Sequence, residues 1–195
     1  MTPSFEFFFS FYGLLLGLSV AEVAKGLAYA IGVREHVRIG LLTPMLAAFL
    51  LLDIASFWYF AWGGRALVEI GWTSLFLGLV IAVTYYLAAA LVFPKDLASW
   101  ASLDEHYWRR KRFVVAGLML PNAIVFGLAA VLISAPIDTF RFWFDQSVYW
   151  GALTGLLFTR DKRADFVLLA ILILQYLVNV VIPPSIMARA MLGGS

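Results

Sequence analysis

Ile39-Gly40-Leu41-Leu42-Thr43-Pro44-Met45-Leu46-Ala47-Ala48-Phe49-Leu50-Leu51-Leu52-Asp53-Ile54-Ala55-Ser56-Phe57-Trp58-Tyr59-Phe60-Ala61-Trp62 is an apolar run with one charged residue, Asp53. A bilayer core about 30 Å thick takes about 20 apolar residues per helical crossing, so this run can cross alone. Its neighbours read the same way. Phe7 to Ala30 precedes it, and Trp72 to Phe93, Phe113 to Ser134, Phe142 to Thr159 and Ala164 to Ala188 follow. The expected fold is all-α: a polytopic bundle of six transmembrane helices, a single membrane domain over residues 1–195.

Composition agrees. The chain is 63% hydrophobic and 13% charged, about half the charge of a soluble domain. No polar stretch is long enough to fold as a separate domain. Cysteine is absent, which excludes disulfides, thiolate nucleophiles and Cys-ligated metal centres. The basic residues sit in short loops, which suits a membrane surface and argues against nucleic acid.

The fifth run is short and carries Asp145 and Gln146 near its start. It reads either as a crossing or as a helix lying in the interface. Charge placement chooses between them. With six crossings, Lys25, Arg34, Arg38, Lys95, Arg109, Arg110, Lys111, Arg112, Arg160, Lys162 and Arg163 share one side, eleven of the 14 Lys and Arg residues. Arg65, Arg141 and Arg189 take the other. Short cytoplasmic loops carry such an excess, so both termini are expected in the periplasm. Ala28-Tyr29-Ala30 has the form of a signal-peptide cleavage site, but the segment before it starts with Glu6 and no cation, so a spanning helix is the preferred reading.

Tyr86-Leu87 followed by Pro94, and Tyr176-Leu177 followed by Pro184, share an offset of eight residues. Gly26-Leu27-Ala28 and Gly127-Leu128-Ala129 also match. Such pairing fits an inverted 3+3 duplication, an arrangement found in transporters. The competing account is shared composition among apolar helices.

Polar groups inside the runs are the candidate functional residues. Tyr12, Leu15, Ser19, Glu22, Gly26 and Tyr29 fall on one helical face, with Lys25 one turn from Glu22. The pair is either a local ion pair with Lys25 reaching the interface or part of a cation pathway. Asp53 has no basic residue within two turns, and it is expected to face the bundle interior. It is either a pathway acid or a packing hydrogen bond to Tyr, Trp or Asn across the bundle. Pro121-Asn122 breaks the fourth run, as a plain kink or as part of a transport site. Gln175 and Asn179, spaced i, i+4, present two amides as interhelical glue or pathway lining. Gly13-x-x-x-Gly17 permits close helix approach, within the chain or in a homo-oligomer.

Asp104-Glu105-His106 invites a metal reading, but adjacent residues cannot all point at one ion, and the other histidine, His36, is in another loop. The preferred reading of this stretch is interfacial. Trp100, Tyr107 and Trp108 would anchor at the headgroups, and Arg109, Arg110, Lys111 and Arg112 would form a lipid-facing basic loop. No cofactor is implied, and no Gly-x-Ser-x-Gly or phosphate-loop motif marks an enzyme.

Phe7-Phe8-Phe9-Ser10-Phe11-Tyr12-Gly13-Leu14 and Ser19-Val20-Ala21-Glu22-Val23, with Leu103 to Tyr107 and Arg109 to Arg112, resemble small polytopic bacterial inner-membrane proteins with no assigned activity. The resemblance implies a bacterial inner membrane and brings no catalytic or binding residues. Two functions stay open. One is a small carrier or channel with Asp53, and with it Glu22, on the pathway. The other is a non-catalytic partner or assembly subunit of a larger membrane complex. A carrier needs polar residues of several helices to converge on one water-reachable cavity. A partner subunit needs an apolar, small-residue outer face with no such cavity. Whether Asp53, Glu22, Asn122 and Gln175 converge is the observation that bears most on the choice.

Overall fold

A computed structural model describes residues 3–35, 37–63, 65, 71–96, 100, 102–132 and 140–181. They form six helices: α1 (Pro3–Gly32), α2 (Leu42–Gly63), α3 (Trp72–Val92), α4 (Leu103–Leu132), α5 (Phe140–Phe158) and α6 (Lys162–Val181). Among the described residues there is no strand, only a single bridge between Arg38 and Ser102. Five helices are long and apolar enough to cross a membrane; α5 does not reach that level. The expected ends of the fourth and sixth runs, 133–134 and 182–188, lie outside the described residues, as do Pro136, Pro184, Arg189 and His36.

Several boundaries differ from the sequence reading by a few residues or more, and three of them have a physical reason on view. α2 starts at Leu42 rather than Ile39: Arg38 bridges to Ser102, and Ile39 and Gly40 are not helical. α3 stops at Val92 because Phe93 is extended (φ −112°, ψ 145°) ahead of Pro94, the conformation a following proline imposes. α4 starts at Leu103, not Phe113. The charged stretch is its first three turns. The Ser102 hydroxyl accepts the Glu105 N–H at 3.3 Å, Asp104 and Glu105 sit in the first turn, and Arg109 pairs with Glu105 at 2.9 Å. A cap, acids at the positive end and an i, i+4 ion pair all favour helix there.

α2 is the central helix, packed against α1, α3, α4 and α6; the broadest interfaces are α3 with α4 and α1 with α3. Close approach depends on small residues. Gly26 lies against the Phe93 ring and Gly117 against Ala88. Gly13 packs on Trp58, whereas a Cβ at Gly17 would meet nothing within 4 Å among the described residues, so the Gly-x-x-x-Gly pair does not form one seam among them. The outer surface is apolar: Leu14, Leu87, Phe113 and Leu174 are exposed.

The α1–α2, α3–α4 and α5–α6 connections meet at one end, called here the basic end. Leu103 N–H donates to the Arg38 carbonyl at 3.3 Å, Thr43 donates to the Leu103 carbonyl at 3.2 Å, and Lys162 pairs with Asp104 at 2.6 Å. At the opposite end Arg141 at the start of α5 donates to Asn179 late in α6 at 3.3 Å. α5 therefore runs antiparallel to α6 along the length of the bundle. An exposed aromatic group marks this opposite end, with Phe7, Trp72, Phe140 and Trp143. The two halves do not pack alike: α1 and α3 share a broad interface, while α4 and α6 share none of comparable extent.

Candidate functional site

Asp53 sits eleven residues into α2, roughly 16 Å from its start at helical rise. Phe49, Leu50, Ile54 and Phe57 are buried around it, so helical spacing forces its side chain inward. Its exposure is 0%. Tyr85 of α3 donates to Oδ2 at 2.8 Å. Asn122 of α4 donates to Oδ2 at 3.0 Å and to Oδ1 at 3.2 Å. Tyr149 of α5 donates to Oδ1 at 3.0 Å, and Tyr176 of α6 donates to the same oxygen. One carboxylate thus gathers four donors from four other helices.

Aromatic packing fixes these donors. The Phe57 ring lies 5.7 Å from Tyr85 and 5.7 Å from Tyr12 of α1. The Phe49 ring lies 6.3 Å from Tyr149 and 5.9 Å from Tyr176. Phe49 and Phe57 stand one turn to either side of Asp53 and brace the phenols that reach it. Asn122 also donates to the Leu118 carbonyl at 2.9 Å, one residue past the buried Pro121. The Tyr12 hydroxyl is buried and has no hydrogen-bond partner among the described residues.

An ionised carboxylate offers about four lone-pair sites, and the donors fill them. A phenol can also accept, so a proton placed on Asp53 can be donated to a tyrosine oxygen by turning one O–H. The node can hold or give up a proton without moving its heavy atoms.

Of the residues expected from sequence, the structure brings Asn122 to Asp53 and keeps the others apart. Glu22 pairs with Lys25 at 3.8 Å, with side chains 30% and 78% exposed. Gln175 donates to the Asp145 carbonyl at 2.7 Å, and Asn179 accepts from Arg141; both tie α6 to α5. The tyrosines of the node were not singled out by sequence. The usable signal was that Tyr85, Tyr149 and Tyr176 lie inside apolar runs rather than at their ends.

A second buried cluster lies at the basic end and corrects the lipid-facing reading of Lys111. Its side chain is 2% exposed and pairs with Asp165 at 2.6 Å, donates to the Thr159 carbonyl at 2.7 Å and lies 4.4 Å from the Trp108 ring centre. Tyr107, expected as a headgroup anchor, is also buried and donates to Asp165 at 2.8 Å. The reason is helical phase: Tyr107, Lys111, Val114, Val115 and Leu118 are all buried on one face of α4. Arg109, Arg110 and Arg112 stay exposed, with Arg109 5.0 Å from the Trp100 ring. Asp104, Glu105 and His106 diverge to Lys162, Arg109 and the Leu91 carbonyl.

The two clusters do not connect. The eleven residues from Asp165 to Tyr176 span roughly 16 Å, and Leu169 and Leu172 between them are fully buried. On the other side of Asp53 lie separate polar contacts: Ser56 donates to the Asp53 carbonyl, Gln175 donates to the Asp145 carbonyl, and Arg141 pairs with Asp145 and donates to Asn179. Comparison of the chain with protein-family models, curated proteins and solved structures found no match.

Proposed function

We propose that this chain is a small carrier or channel of a bacterial inner membrane, with six crossings, that moves protons or exchanges a proton for a small cation at Asp53. The observation that carries the reading is the convergence of Tyr85, Asn122, Tyr149 and Tyr176 on one fully buried acid from four helices. Intramembrane acids are expensive and mark pathways by default. Phenols that donate and accept suit proton transfer to such an acid. Further polar side chains lie on the Arg141 side of Asp53, while the fully buried Leu169 and Leu172 separate it from the cluster at the basic end. That is the pattern of a closed state, and transport requires the apolar block to part.

The test is proton flux in proteoliposomes carrying a pH-sensitive dye, driven by a pH gradient or a potassium diffusion potential. Wild type is expected to conduct or exchange, and Asp53→Asn to abolish the flux. Tyr149→Phe keeps the ring packing and removes one donor, so it should slow flux while chromatographic behaviour stays that of wild type. Wild-type vesicles that pass no protons, sodium or potassium would end the carrier reading.

The saturated carboxylate favours a second reading, a non-catalytic partner subunit. Every acceptor site on Asp53 is taken from within the chain, so the acid could serve as a knot joining α2 to α6. In that reading flux is absent and Asp53 variants change only stability and assembly with a larger membrane protein.

A further inference from the structure

We infer that the groove between the first turns of α2 and α6, at the basic end, binds one anionic phospholipid. Two cavities meet there, of about 710 Å³ and about 590 Å³, sharing Ile39, Gly40 and Lys162. The first is polar in its chemistry, with Arg38, Ser102, Asp104 and Lys162. The second adds Arg163 over an apolar wall of Leu41, Phe166 and Val167. That wall is exposed by 65%, 44% and 52%, on the surface that the membrane reading gives to acyl chains. A cationic head and an apolar flank in one continuous groove match a phosphate with a chain attached.

Charge decides which lipid. Among the lining residues, Arg38, Lys162 and Arg163 stand with one carboxylate, Asp104, which Lys162 already neutralises at 2.6 Å. Asp161 beside them turns its Oδ1 to the Arg163 backbone N–H at 3.2 Å. An ammonium has three donors, so Lys162 keeps N–H groups for a second anion. Arg38 and Arg163 are exposed and have no ion pair among the described residues. A zwitterionic headgroup would bring its own cation against two arginines; an anionic one would not. Gly40 keeps the groove floor low: a Cβ there would fall 1.7 Å from Asp104 Oδ1, displacing the carboxylate that holds Lys162 in place. Basic pockets between helices on the cytoplasmic side are general sites for anionic headgroups.

The inference rests on the membrane reading and is independent of transport at Asp53. Native mass spectrometry of the protein in neutral detergent tests it, titrated with phosphatidylglycerol, phosphatidylcholine or glycerol phosphate. One phosphatidylglycerol adduct is expected to form well before any phosphatidylcholine adduct. Each arginine near an anionic lipid contributes about 1 kcal/mol, so Arg38→Gln with Arg163→Gln should weaken that adduct about thirty-fold. Arg110→Gln with Arg112→Gln removes the same charge from the outer face of α4 and should leave it intact. Phosphatidylglycerol should also raise the melting temperature of wild type and not of the groove variant. Equal loss in the α4 variant would show unspecific surface charge and overturn the site. Full competition by glycerol phosphate would make it a free-anion site and overturn the lipid. An equal affinity for phosphatidylcholine would overturn the charge argument.

Discussion

Asp53 accepts from three phenols and an amide inside a buried core. An unsatisfied buried donor costs about 1–3 kcal/mol, so substitutions should rank by how many donors they strand. Asp53→Leu removes the shared acceptor of the three phenols, leaves Asn122 its bond to the Leu118 carbonyl, and is expected to cost several kcal/mol. Asp53→Asn puts an amide N–H opposite the Asn122 N–H and should cost about 1–3 kcal/mol. Tyr149→Phe removes one interhelical bond, worth about 0.6 kcal/mol on average inside membranes. Unfolding in mixed micelles by SDS titration measures the series, and a Leu variant as stable as wild type would refute the network. Asp53 was legible in the sequence because a lone acid in an apolar run must turn inward, and Asn122 because it stands beside Pro121. The tyrosines were not. Tyrosine is amphipathic and belongs equally to interfaces and interiors, the chain has eight, and nothing local says which face of α3, α5 or α6 meets α2.

Helix α4 shows how an element can be misjudged by hydropathy alone. Reading apolar runs ends a helix at a charge, so residues 103–112 looked like a loop and Lys111 like a lipid contact. Yet Ser102-x-x-Glu105 is a capping signature written in the chain, and it extends the helix far enough to turn Lys111 inward onto Asp165. A buried pair is costly to break from one side, about 3–5 kcal/mol, and far less costly to replace whole. Lys111→Met alone should therefore destabilise strongly, whereas Lys111→Met with Asp165→Leu should recover most of the loss. Arg112→Met, on the exposed face of the same helix, should change stability by less than about 0.5 kcal/mol. SDS titration in mixed micelles, followed by the loss of helical circular dichroism, measures the three variants. A single Lys111 variant with wild-type stability would mean the side chain is solvated. α5 escapes a hydropathy test for the opposite reason: Arg141 and Asp145 lower its apolar character but pair with each other at 3.6 Å, and Gln175 covers the Asp145 carbonyl.

Across the whole molecule, three connections are tied together at one end by Leu103 with Arg38, Lys162 with Asp104, and Lys111 with Thr159 and Asp165. The lengthwise antiparallel run of α5 against α6 is what puts the α5–α6 connection there. The sequence expects the three connections at one end from charge, since a crossing fifth helix would gather eleven of the 14 basic residues on one side. It could not reveal how the helices are ordered around α2, because lipid-facing and protein-facing leucines are chemically alike and helix contacts in a bilayer depend on shape. Short-loop Lys and Arg set orientation, so the basic end is expected in the cytoplasm and both termini in the periplasm. A reporter active only in the cytoplasm, fused after Arg163, should therefore give a strong signal, and the same reporter at Ser195 should give none. A reporter active only in the periplasm should show the reverse. If α5 instead lay in the interface, the two fusion sites would change sides relative to Arg38, and labelling of single cysteines introduced at Arg38 and Arg163 would differ. Because the chain has no cysteine of its own, that labelling is unambiguous: equal protection of both sites from a membrane-impermeant maleimide in intact cells is the expected result, and opposite protection would overturn the six-crossing topology.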